Sequence, residues 1–124
     1  MVVDDDLDVR EAIVDAIHAT GRLVYGAASG AEALRLVESI PLPCLILLDV
    51  SMPELTGIET LERLRRLPQF DETTVVLMSA TDRRAMDYAR RLPGVQGVLP
   101  KPFAVAKLVR LLDKHCAPSE SIRH

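Results

Sequence analysis

Four short apolar runs in this chain each lead directly into polar residues suited to phosphate chemistry. Val2-Val3 leads into Asp4, Asp5 and Asp6, and the run from Cys44 to Leu48 into Asp49. Val75 to Met78 leads into Ser79, and Val98-Leu99-Pro100 into Lys101. Carboxylates gathered at one place repel each other unless a cation sits among them. Their hard oxygens suit Mg²⁺, which binds through one or two carboxylates together with waters and phosphate oxygens. An aspartate can itself act as a nucleophile and accept a phosphoryl group. Phosphoryl transfer then asks mainly for positioning and charge neutralisation, which Mg²⁺, the Lys101 ammonium and the Ser79 hydroxyl can supply. Asp49 is the nucleophile candidate, because it ends the most thoroughly apolar run. Asp4 and Asp5 are the metal carboxylates. A plainer use of Asp4 to Asp6 is to cap a helix, whose N-terminus favours negative charge.

These residues converge only if the runs are neighbouring strands. Short apolar runs bounded by turn residues read as buried parallel strands. Between them the apolar period becomes helical. Asp8 with Glu11 is a candidate capping box, followed by Val9, Ile13, Ala16 and Ile17, with Gly21 as a stop. Leu23 to Ala27 reads as a strand, and Ser29 with Glu32 opens a helix carrying Ala33, Leu34 and Val37. Ile58, Leu61, Leu64 and Leu67 form the clearest stripe, ended by Pro68. Asp82 to about Arg91 is a helix with a poor stripe (Ala85, Met86, Ala89), expected to pack loosely. Val105, Leu108, Val109 and Leu112 mark the last helix. The order βαβαβαβαβα means a parallel sheet with helices on both faces, and ligands bind at the C-terminal edge of such a sheet. The first strand is short for a central one, and a chain trimmed at its start is the expectation.

At 124 residues the chain is one domain by length. Tyr25, Phe70, Tyr88 and Phe103 are its only aromatic residues, so Leu, Val, Ile and Ala must build the core. A net charge of −3 offers no basic field for nucleic acid, and the local arginine clusters read as solvated helix faces. No run is long enough for a membrane span and no signal peptide is visible, so a cytoplasmic protein is expected. Two cysteines are too few for a disulfide framework, and Cys44 reads as a small core residue. His18, His115 and His124 are scattered, without partners at ligand spacing.

With these residues in view, the sequence resembles the receiver domain of response regulators in two-component signalling, the CheY-like family. The resemblance rests on V-V-D-D-D with Arg10 downstream, L-L-D-V-S-M-P-E-L-T-G, V-V-L-M-S-A and L-P-K-P-F, in that order. It implies a flavodoxin-like (βα)5 sandwich with a five-stranded parallel sheet in the order 2-1-3-4-5. A receiver domain over residues 1–116 and a tail or linker over 117–124 follow. Asp49 is then the phosphoacceptor, charged from a sensor histidine kinase or phosphotransfer protein. Mg²⁺ is held by Asp4, Asp5, Asp49 and the Ser51 backbone carbonyl. Ser79 and Lys101 bind the phosphoryl group, and the Lys101-Pro102 peptide is cis, an option proline opens. Ser51 and Thr81 sit where the family tunes phosphate lifetime. The domain is regulatory rather than an enzyme, apart from its own phosphorylation and dephosphorylation. Its output is a downstream effector domain or partner protein, or a homodimer through the last two helices and last strand.

One position departs from the family pattern. Where the last strand usually carries an aromatic residue, three before the lysine, this chain has Val98. A β-branched valine has few rotamers and little reach, so the aromatic part of the usual switch is missing. Tyr88 is a candidate substitute. The rival from the enzyme class is a haloacid-dehalogenase-like phosphatase, for which Asp6-Leu7-Asp8-Val9 offers the paired aspartates. That fold needs a further acidic pair after the lysine, and only Asp113 and Glu120 lie there. A receiver-like module that binds a partner without switching is a third reading, to which Val98 lends weight.

Overall fold

The computed structural model describes residues 1–41, 43–50, 52, 56–79 and 83–116. Five strands and five helices alternate along them: β1 (Val2–Val3), α1 (Leu7–His18), β2 (Gly26–Ala27), α2 (Gly30–Ser39), β3 (Leu45–Asp49), α3 (Gly57–Leu64), β4 (Thr74–Ser79), α4 (Arg83–Arg90), β5 (Val95–Pro100) and α5 (Val105–His115). The strands form one sheet in the order β2-β1-β3-β4-β5, with every pair parallel. This is the topology that the resemblance implies.

The two-residue period of a strand divides the core into two layers. Ile46, Leu48, Val75 and Leu77 face one side, with Leu61 and Leu64 of α3 and Ala33 of α2 packed there. Leu45, Leu47, Val76 and Met78 face the other, against Ile13 and Ile17 of α1 and Leu108 and Leu112 of α5. Because β3 is covered on both faces, all five of its residues are buried, Asp49 included.

Several boundaries differ from those read in the sequence. The cap of α1 is Asp6, whose carboxylate accepts from the backbone N–H groups of Asp8 and Val9, so Asp8 stands inside the helix. β2 is confined to Gly26 and Ala27, the two residues that two-residue β1 can pair, and Leu23 is 75% exposed. α3 stops at Leu64, before Pro68, and opens on a full capping box of Thr56 and Glu59. β5 starts at Val95 rather than Val98, because β4 offers a six-residue partner. At Gly97 on that edge strand, an added Cβ would meet nothing within 4 Å.

The cysteines overturn their expectation. Cys44 is exposed rather than part of the core, and it is disulfide-bonded to Cys116 across 72 residues, with Cα atoms 5.5 Å apart. The reason is topological. Parallel strands all start at one edge of the sheet, and the helices between them return to that edge. The start of β3 and the end of α5 therefore meet there. A salt bridge of 2.8 Å from Arg22, after α1, to Asp113 on α5 lies at the same end.

Candidate functional site

At the opposite edge, the C-terminal one, the strand ends bring together residues far apart in sequence. Ligand oxygens from Asp4, Asp5 and Asp49 all lie within 4.8 Å of one another. Asp4 and Asp49 are buried and Asp5 is exposed. Asp4 follows β1, and its backbone N–H continues the pairing with β2 by donating to Ala27 O at 3.1 Å. Its carboxylate accepts from the Asp6 N–H at 2.9 Å, which turns the chain toward α1. Asp6 caps that helix, so the first three acids divide between the two uses the sequence left open.

Lys101 bridges the acids. Its ammonium donates to Asp4 Oδ2 at 2.6 Å and lies 3.5 Å from Asp49 Oδ1. Burial works to lower its pKa. The hydrogen bond to Asp4 and the attraction of Asp49 and Asp4 outweigh that, so the ammonium is held charged above its usual range. The Lys101 N–H donates to Ser79 O at 2.7 Å, tying the end of β5 to β4, and the Lys101-Pro102 peptide is cis. Ser79, buried at the end of β4, is paired with Pro100 in the sheet register, and Asp49 with Met78. Three carboxylates against one ammonium leave the cluster short of positive charge. An all-oxygen donor set of this size fits Mg²⁺.

Val98 is half-buried on β5, opposite Leu77, and packs on the layer that includes Leu61 and Leu64. It therefore contributes to the core rather than to a latch. Tyr88, the candidate substitute, is 57% exposed on α4. Ser51, Thr81 and the expected tail 117–124 lie outside the described residues. Met86 of α4 is half-buried and Ala89 is buried, so that helix seats one side on the core despite its weak stripe.

Two features of the site were not assigned from the sequence. Arg10, one helical turn into α1, donates from Nη1 to the Asp4 carbonyl at 2.8 Å, which steadies the loop presenting Asp4 and Asp5. Gly57 opens α3 against the end of β3, and its N–H donates to Val50 O at 3.1 Å. A Cβ there would collide with the Asp49 carbonyl oxygen and lie 2.8 Å from Val50 Cα. The T-G-I-E pattern of residues 56–59 carries a capping-box signal that was not assigned from the sequence. The close approach of Gly57 to Asp49 had no local signal.

A family model described as the response regulator receiver domain matches residues 1–113. An uncharacterized 14.6 kDa protein in the sodA1 3′ region of Leptolyngbya boryana is 34% identical over 116 residues, covering 94% of this chain and 88% of that one. Response regulator MprA of Mycobacterium sp. (strain KMS) is 35% identical over 123 residues, 97% of this chain. The match spans 52% of MprA, so this chain corresponds to about half of that relative. Among solved structures, chemotaxis protein CheY4 of Vibrio cholerae superposes with a TM-score of 0.81 at 27% identity, covering 92% of this chain and 94% of that one. The receiver domain of NtrX from Brucella abortus gives 0.82 at 25% identity, with coverage of 92% and 94%.

Proposed function

We propose a mechanism for a chain that belongs to the response regulator receiver domains of two-component signalling: Asp49 is its phosphoacceptor. In this reading an Asp49 carboxylate oxygen attacks the phosphorus of a phosphohistidine on a sensor kinase or phosphotransfer protein. The P–O bond to Asp49 forms as the P–N bond breaks, and the electron pair leaves with the imidazole. Lys101, already 3.5 Å from Asp49 Oδ1, pairs with the added phosphoryl charge. Ser79 donates its hydroxyl to a phosphoryl oxygen. Asp4, Asp5 and Asp49 would hold Mg²⁺, with the Ser51 carbonyl as a further ligand. When bound, the ion supplies charge neutralisation at the phosphoryl oxygens. The same centre would hydrolyse its own aspartyl phosphate.

The observation that supports this most is the gathering of Asp4, Asp5 and Asp49 within 4.8 Å beside the Lys101 ammonium. The phosphatase reading loses its nucleophile, because Asp6 is engaged as the cap of α1. Among the described residues no helix is long and apolar enough to cross a membrane, and we assign the domain, residues 1–116, to the cytoplasm. Its output would pass to an effector or partner through the face formed by α4, β5 and α5, where a homodimer is one arrangement. To move a two-state equilibrium from about 1:99 to 99:1, phosphate must favour the active form by about 5.5 kcal/mol. With Val98 packed in the core, that coupling must run through Ser79, Lys101 and the loops they hold. The test is labelling by acetyl phosphate with Mg²⁺. Asp49→Asn removes the acid-labile phosphate, and undiminished labelling of that variant would refute the assignment.

A further inference from the structure

The disulfide lies far from the phosphate chemistry. Cys44 immediately precedes β3 and Asp49 ends it, so about 16 Å of strand separates them. Cys116 is the C-cap residue of α5, with its N–H donating to Leu112 O at 2.8 Å. α5 begins four residues after Lys101, so one helix runs from the candidate site to the disulfide. These are the chain's only two cysteines, so no other internal pairing competes. Cys44 is exposed, and Cys116 is half-buried against the layer that holds Leu108 and Leu112. One partner of the bond therefore belongs to a surface residue, while the other is seated where α5 ends.

We propose that Cys44–Cys116 is a thiol–disulfide exchange site, taking a dithiol reductant as its co-substrate, and that its state sets how firmly the last turn of α5 is held. A thiolate of the reductant attacks the Cys44 sulfur. The S–S bond breaks, and Cys116 leaves as a thiolate that takes up a proton. The second thiol of the reductant then attacks the mixed disulfide. It releases Cys44, which is also protonated, and closes the reductant's own disulfide. Two electrons and two protons pass to the protein. Without the bond, the described contacts at that turn are the burial of Leu112, the partial packing of Leu111 and Cys116 on the same layer, the Cys116 N–H bond, and the salt bridge from the largely buried Arg22 to Asp113, whose side chain is 64% exposed. Water reaches the Asp113 side of that pair and screens it, so its hold on the turn is modest. Reduction therefore loosens the end of α5 while leaving the sheet intact.

The experiment compares the 124-residue chain, prepared without reductant, before and after millimolar dithiothreitol under native conditions. Iodoacetamide alkylation reads the thiols and amide hydrogen exchange reads α5. The oxidised chain should take up no label. The reduced chain should be alkylated at both cysteines, with exchange over residues 111–116 faster by on the order of tenfold and β4 still protected. Cys44→Ser and Cys116→Ser should each show the fast α5 exchange with or without reductant. Free thiols in the unreduced chain would overturn the proposal, as would a bond that opens only in denaturant, unchanged α5 exchange on reduction, or loss of β4 protection together with α5. If either serine variant fails to fold, the wild-type comparison still decides. Phosphate labelling at Asp49 is independent of these readouts.

Discussion

Replacing Gly57 with alanine sets two physical effects against each other, with opposite signs. Alanine is the better helix former by about 1 kcal/mol, chiefly because it restricts the unfolded chain more than glycine does. On that ground alone the variant would be more stable. The structure predicts the reverse. The new Cβ would collide with the Asp49 carbonyl oxygen and lie 2.8 Å from Val50 Cα and 2.9 Å from the Asp49 carbonyl carbon. All three atoms are backbone, so no side chain can rotate away. Overpacking that side chains absorb costs about 1–3 kcal/mol, and a collision with the backbone of a central strand lies at or above the top of that range. Subtracting the favourable term leaves a net loss of about 2 kcal/mol, or about 6–10 °C in melting temperature for a domain of this size. The strand end that must yield carries the candidate phosphoacceptor, so labelling by acetyl phosphate should slow by about tenfold, as misplacement at a reacting centre does. Thermal melts and timed labelling read the two effects separately. A variant that melts at or above the parent temperature and labels at the parent rate would refute the reasoning.

Two further outcomes follow from single groups. In the 124-residue chain beginning at Met1, the terminal ammonium is buried, donates to Leu45 O at 2.8 Å, and has its pKa lowered by that burial from 8.0 to about 5. Between those values the unfolded chain binds the proton and the folded chain does not, so stability rises with pH from about 5 to 8 and levels off above. The rise from this group is at most about 4 kcal/mol. Urea melts should show it in the free-amine chain and lose it after N-terminal acetylation, and identical slopes for the two would contradict it. Arg10→Met removes the donor to the Asp4 carbonyl. Loss of such support behind a metal ligand typically weakens binding by about tenfold or more. Mg²⁺ titration should register that drop, and unchanged affinity would show that the loop holds itself.

Much of this domain was legible in one dimension, and the reason is periodicity. Strands buried on both faces must be apolar throughout, as Leu45 to Leu48 are, and that run pointed to its polar end residue, Asp49. Alternation of such runs with helical stripes dictated a parallel sheet, whose C-terminal edge collects Asp4, Asp5, Ser79 and Lys101. Element ends were less legible, because they depend on partners. β2 is short because β1 gives it two residues to pair, and β5 is long because five residues of β4, Val75 to Ser79, pair with it.

What tertiary structure alone decided are contacts between residues with no periodic or local relation. Asp6 was one acid of three until the chain turned and made it the cap of α1. Gly57 carried no role in the sequence until α3 was laid against the end of β3. Cys44 and Cys116 read as unrelated residues, yet they meet because a parallel sheet returns the start of every strand and the end of every helix to the same edge. Hydrophobic pattern encodes which face of an element is covered. Which atoms meet at its ends is set only when all the elements are packed together.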